Sequence, residues 1–140
     1  MTAPVKILFV CVGNCVRSQM AEAIARHGSS DIIEAESAGV HPLGFIDKTA
    51  IAVLAERDIS VDGQTSKGLH SHLIEKADLI VNMSGIPGKQ LFHHQPFEEW
   101  PVEDPFGENM ETHRRICDDI QRRVTDLAAR LRAKTGSPAK

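Results

Sequence analysis

The chain predicts a three-layer α/β domain, with a four-stranded parallel sheet covered by helices on both faces. Three observations lead there. Short β-branched runs alternate with stretches of helical periodicity. Glycine or proline punctuates the junctions. The chain also closes on one long amphipathic helix. With 140 residues, 41% of them hydrophobic and 25% charged, it is long enough to bury one core.

Val5-Lys6-Ile7-Leu8-Phe9-Val10 is short, apolar and bounded by a glycine-containing turn, so it reads as a buried strand. From Ser18 the period changes: Met20, Ala21, Ile24 and Ala25 recur at helical spacing until Gly28. Ile32 to Glu36 reads as a second strand, with Ser37-Ala38-Gly39 as the loop leaving it. Asp47 caps a helix bearing Ala50, Ile51, Val53 and Leu54, which ends near Asp58. His70 to Lys76 forms a short helix, and Asp78 to Asn82 a third strand followed by the breakers Gly85, Pro87 and Gly88. A fourth strand falls within Phe97 to Val102, shortened by the prolines around it. In the last helix Ile116, Ile120, Val124, Leu127 and Leu131 make one apolar stripe. The domain is placed at residues 1–134, with 135–140 as a flexible tail.

Bulk properties exclude several functions. A net charge of -3 offers no basic stripe for nucleic acid. The apolar run at Ile7 to Val12 is too short to span a bilayer and lacks the flanks of a signal peptide. Three cysteines at uneven spacing make no disulfide framework. Free thiols point to a reducing compartment, with the cytoplasm as the expectation.

The chemistry concentrates in Cys11-Val12-Gly13-Asn14-Cys15-Val16-Arg17-Ser18, between the first strand and the first helix. Ligands of open α/β sheets bind beyond the carboxyl ends of strands. A loop entering a helix there directs backbone N–H groups at one spot and favours an anion. Gly13 and Asn14 are residue types that tolerate the unusual φ of such a nest. Arg17 offers a planar fork matching two phosphate oxygens, and the same positive field favours the reactive thiolate of Cys11. Ser18 can donate to that sulfur and help cap the helix. The bland alternative is a buried cysteine ending a core strand, with Arg17 as a solvated helix residue. The order of strand, loop and helix argues against it. A nucleotide-binding Walker loop is disfavoured because Gly-Lys-Ser/Thr is missing.

These residues, CVGNCVRSQMAEA at 11–23, with SAG at 37–39, QTSKGL at 64–69, DLIVNM at 78–83 and DPFG at 104–107, resemble the superfamily of low-molecular-weight protein tyrosine phosphatases and thioredoxin-coupled arsenate reductases. The resemblance implies a parallel sheet in the order 2-1-3-4. It implies Cys11 as nucleophile, Val12 to Ser18 as the phosphate cradle and Asp104 as general acid and base. It implies no metal and no other cofactor. The expected substrates are a phosphotyrosine protein or a small aryl phosphate, and phosphate and similar oxyanions should bind.

Two branches share this fold. The reductases of the thioredoxin-coupled kind carry two further cysteines after the third strand, where this chain reads Asn82-Met83-Ser84-Gly85-Ile86-Pro87-Gly88-Lys89. That favours the phosphatase branch. Residues 44–69 read closer to the reductases, so a reductase borrowing an external thiol stays open, as does a non-catalytic oxyanion-binding module. Cys15 departs from the phosphatase pattern, whose second cysteine directly precedes the arginine, here Val16. A protective Cys11–Cys15 disulfide and plain packing behind the loop are both open readings. Phe106 is expected to wall an aryl-binding cleft, with Phe45 on the opposite wall or in the core. Cys117 is expected to pack in the last helix, and Trp100 in the core. His70-x-His72 and His93-His94 are too close in sequence to complete a tetrahedral metal site.

Overall fold

Strand β1 (Val5–Cys11) runs up the centre of the sheet because both of its faces are apolar. Ile7 and Phe9 point to one side and Leu8 and Val10 to the other, following the two-residue period of a strand. The computed structural model describes residues 3–135. Around β1 lie α1 (Arg17–Gly28), β2 (Ile33–Gly39), α2 (Lys48–Ala55), α3 (Ser71–Lys76), β3 (Leu79–Asn82), α4 (Gly88–Leu91), β4 (Phe97–Glu99) and α5 (Met110–Thr135). The sheet is parallel throughout, in the order β2-β1-β3-β4.

On the Ile7/Phe9 face, Met20 and Ile24 of α1, Val53 and Leu54 of α2, and Ile116, Ile120, Val124 and Leu127 of α5 close one core. On the Leu8/Val10 face, Leu73 of α3 and Phe92 just after α4 close a smaller one. Phe9 is fully buried, with the Trp100 ring centroid 6.0 Å away. Phe9→Ala would cost roughly 3–5 kcal/mol through transfer and cavity terms. Cys117 is buried in the same core, as its stripe-edge position in α5 predicts.

Three local expectations need correction. β2 continues through Ser37–Gly39, read from sequence as a loop, because the pairing with β1 persists to Cys11–Gly39. A short helix, α4, begins right after Pro87, where breakers were read. Proline is tolerated at a helix start, where its missing N–H would have no partner anyway. β4 falls within the expected stretch, at Phe97–Glu99, and is short as the flanking prolines predict, since Pro101 can extend no ladder. Helix α5 reaches Thr135, one residue beyond the expected boundary, and the remainder of the expected tail lies outside the described residues. By contrast Asp47 caps α2 as the sequence predicts: its Oδ2 accepts from the backbone N–H of Thr49 at 3.1 Å and of Ala50 at 3.3 Å.

Candidate active site

The loop between β1 and α1 wraps into a cradle, and Asn14 sets its curvature. Asn14 takes a left-handed φ of 48°, which its short amide side chain tolerates. Gly13 does not take a left-handed φ. Its lack of a side chain leaves room for Leu43, whose Cγ would lie 3.2 Å from an added Cβ. The stricter glycine is Gly39 at the end of β2: a Cβ there would fall 2.7 Å from both Asn14 N and Val12 O. Backbone cannot yield as a side chain can, so the cradle is moulded against a bare strand end.

Hydrogen bonds fix the cradle from outside. Val40 N, His41 N and Leu43 N donate to the carbonyls of Cys11, Val12 and Gly13, at 3.1, 2.8 and 3.0 Å. The amide N–H groups of residues 12–16 meanwhile donate to no acceptor among the described residues, the condition for a nest that takes an anion. Gln19, fully buried, gives its side-chain amide to Asn14 O at 3.1 Å and Thr65 O at 3.0 Å. Gln64 in turn donates to Gln19 Oε1 at 2.8 Å.

A directed chain of donors ends on the sulfur. Asn14 Oδ1 accepts from Lys67 N at 2.8 Å, which fixes the amide's orientation. Its Nδ2 then donates to Ser18 Oγ at 2.7 Å. An amide nitrogen only donates, so Ser18 accepts there, which leaves its own proton available to Cys11 Sγ, 2.9 Å away. The hydroxyl faces the sulfur. It does not cap the helix: the cap position is Val16, with no side-chain bond.

Arg17, although 7% exposed, holds the site together. Its Nη1 donates to the carbonyls of Met83, just past β3, and of Val102 at 3.1 Å. Its Nη2 stands 3.6 Å from Asp104 Oδ2. Asp104 itself is half-exposed, and its Oδ1 accepts from Phe106 N at 3.1 Å in a tight turn.

Cys15 is buried beside Cys11, and all three cysteines are free thiols. Burial first, then the Asp47 carboxylate, pushes its pKa from 9.0 up to about 11. Cys15 is therefore a protonated thiol at neutral pH.

These groups meet in a cleft of about 160 Å³. Cys11, the loop residues and Arg17 form its floor. Asp104 and Phe106 stand on one wall, His41 and Leu43 on the other. Phe45, expected on that wall or in the core, is in neither place: it is 50% exposed and lies outside the cleft lining. The bond from Leu43 N to Gly13 O brings Leu43 to the wall, and Gly44 at φ +87° then turns the chain away. Sequence reasoning missed His41, Leu43 and Gln19. Gln19 was visible inside the CVGNCVRSQMAEA motif, but no periodicity marks its role; His41 and Leu43 reach the cleft only through tertiary bonds. The candidate metal histidines pair differently, with the His70 and His72 rings stacked at 5.7 Å. Among the described residues no group of three or more His, Cys, Asp or Glu is placed to hold a metal ion. No described helix is long and apolar enough to cross a membrane.

The family model described as low molecular weight phosphotyrosine protein phosphatase matches residues 6–137. The chain belongs to this family. Within it, both branches are represented among similar proteins. The glutaredoxin arsenate reductase of Synechocystis sp. is 33% identical over 130 residues, covering 90% of this chain and 98% of that protein. An arsenate reductase solved in the phosphate-binding state superimposes with a TM-score of 0.80 at 32% identity, over 91% of this chain and 98% of the other. The YwlE arginine phosphatase from Geobacillus stearothermophilus gives 0.79 at 27% identity, over 94% and 95%.

Proposed function

We propose that this family member is a phosphatase that hydrolyses aryl phosphate monoesters, protein phosphotyrosine included, through a phosphocysteine intermediate. The observation that supports this most directly is the convergence of Cys11, Arg17 and Asp104 in one cleft, with the Ser18 hydroxyl 2.9 Å from the sulfur.

In the first step the Cys11 thiolate attacks phosphorus and the bond to the leaving oxygen breaks. Asp104, entering protonated, gives that oxygen its proton. The Arg17 fork and the free amides of the cradle stabilise the equatorial oxygens in the transition state. In the second step water attacks the phosphocysteine while Asp104, now the carboxylate, takes its proton. Inorganic phosphate leaves and the thiolate returns. No metal enters this scheme. Phe106 and Leu43 would flank an aromatic leaving group, and the free thiols suit a reducing compartment such as the cytoplasm.

Hydrolysis of p-nitrophenyl phosphate at mildly acidic pH tests the reading. Turnover by the wild type that vanishes in Cys11→Ser and falls sharply in Asp104→Asn is the expected result. A folded, reduced wild type without turnover would sink it.

A second reading has its own support. The curated relatives at 30–33% identity are named as arsenate reductases. No cysteine stands at residues 82–89, so reduction here would need an external thiol to release the oxidised sulfur. Arsenate-dependent oxidation of NADPH, coupled through glutathione and glutaredoxin, is the assay that would favour it.

A further inference from the structure

One charged pair lies behind the cradle and takes no part in the chemistry above. His113, near the start of α5, is 1% exposed. Its Nδ1 sits 2.9 Å from the Asn109 carbonyl, which can only accept, so Nδ1 carries a proton. Its Nε2 is buried and makes no hydrogen bond, yet stands 3.4 Å from Asp47 Oδ2. A neutral ring would thus turn a bare lone pair towards a carboxylate. The imidazolium is the form in which both ring nitrogens face acceptors.

Asp47 in turn belongs to the cradle's support. Its backbone N–H donates to the Cys15 carbonyl at 3.1 Å. Its carboxylate is the foremost charged group acting on the Cys15 thiol, ahead of Cys11 and Asp104. A negative charge at the back of an anion site opposes the anion. His113 is the one cation paired with Asp47 among the described ion pairs.

We propose that His113 is a positioning residue: its imidazolium neutralises Asp47 and so preserves the affinity of the cradle for a phosphoryl group. This rests on the reading of the cradle as an anion site. The acidic cap is retained because it starts α2 and anchors the Cys15 carbonyl, and α5 supplies the counter-charge from the opposite side.

The test is inorganic phosphate binding by calorimetry at mildly acidic pH, in His113→Gln, Asp47→Asn and the double variant. His113→Gln should bind phosphate about tenfold more weakly, the scale of one uncompensated charge near an anion in a protein-like medium. The double variant should return to within about twofold of wild type, since neither charge then remains. A merely structural histidine predicts the opposite, with the double variant at least as weak as the single one, and that result would overturn the proposal. Unchanged affinity in folded His113→Gln would do the same. Nitrogen-15 NMR of the wild-type imidazole gives an independent reading: both ring nitrogens should be protonated at that pH, and a bare Nε2 would overturn it. A wild type that binds no phosphate, yet shows the doubly protonated ring, would instead refute the anion-site reading.

Discussion

The two halves of the cleft are built on opposite principles. In the cradle every side chain from Asn14 to Gln19 is buried, and the polar ones are hydrogen-bonded or ion-paired. The loop of Asp104 is more exposed, though Val102 and Pro105 in it are buried; its ties include Arg17 to the Val102 carbonyl and to Asp104, Glu103 to Arg115, the Asp104 turn, and Glu108 N to Pro105 O at 2.8 Å. Cys11, the proposed nucleophile, and the cradle amides are thus preorganised, where misplacement would be most damaging to the proposed reaction. Asp104, the proposed acid, is on the more exposed segment, which suits a group that would serve leaving group and water in turn.

Arg17 is the link between the halves, so its replacement should break both at once. Arg17→Lys keeps the charge but can neither grip two backbone carbonyls from one end nor present a planar fork. The expected loss in kcat/KM is roughly a hundred- to thousandfold, the scale of a lost transition-state donor. Steady-state kinetics against p-nitrophenyl phosphate would check it. A loss under tenfold would mean that the cradle amides suffice alone.

Asp104→Asn should separate the halves. Anion affinity should survive, because the cradle is untouched, while kcat falls about a hundredfold through loss of proton transfer. The loss should be larger for phenyl phosphate than for p-nitrophenyl phosphate, whose leaving group needs less protonation. Equal losses for both substrates would remove Asp104 from the acid role in the first step.

The contrast also explains what the sequence made legible. The cradle could be read because it is local: the apolar run ending at Val10, the residues Cys11 to Ser18 and the helical period from Met20 are contiguous, and each constrains the next. The Leu43 wall could not, because it depends on a loop hydrogen-bonding to cradle carbonyls roughly thirty residues away in sequence. Phe45 is the more aromatic candidate, but Gly44 turns it out. The need for glycine at 39 was equally hidden, since it arises where a strand end meets Asn14 and Val12. His113 was invisible for the same reason: its partner lies on another element, 66 positions earlier.

Within the cradle a smaller change sharpens the comparison. Ser18→Ala removes the hydroxyl that faces Cys11 while leaving a helix former in place. One hydrogen bond to a charged group corresponds to about tenfold in rate. The loss should appear in kcat, with phosphate inhibition nearly unchanged, because the hydroxyl faces the sulfur. Equal weakening of phosphate inhibition would show that Ser18 acts on the anion instead.

The subtlest difference is between the two thiols of the cradle. Cys11 has the Ser18 hydroxyl at 2.9 Å, whereas Cys15 faces burial and the Asp47 carboxylate, which hold it protonated up to about pH 11. Iodoacetamide at pH 7 should therefore label Cys11 first and leave Cys15 unmodified in the folded enzyme. The same environment links to stability. An unfolded chain ionises this thiol near 9.0, while the folded one keeps its proton to about 11. Between those values the unfolded state has fewer bound protons, so stability falls as pH rises. Cys117, also raised by burial, acts in the same direction. Cys15→Ala should thus reduce, without abolishing, the loss of Tm between pH 8 and pH 10.5. An undiminished loss would mean that Cys15 ionises without penalty, and that the wall behind the nucleophile is more open to water than its burial implies.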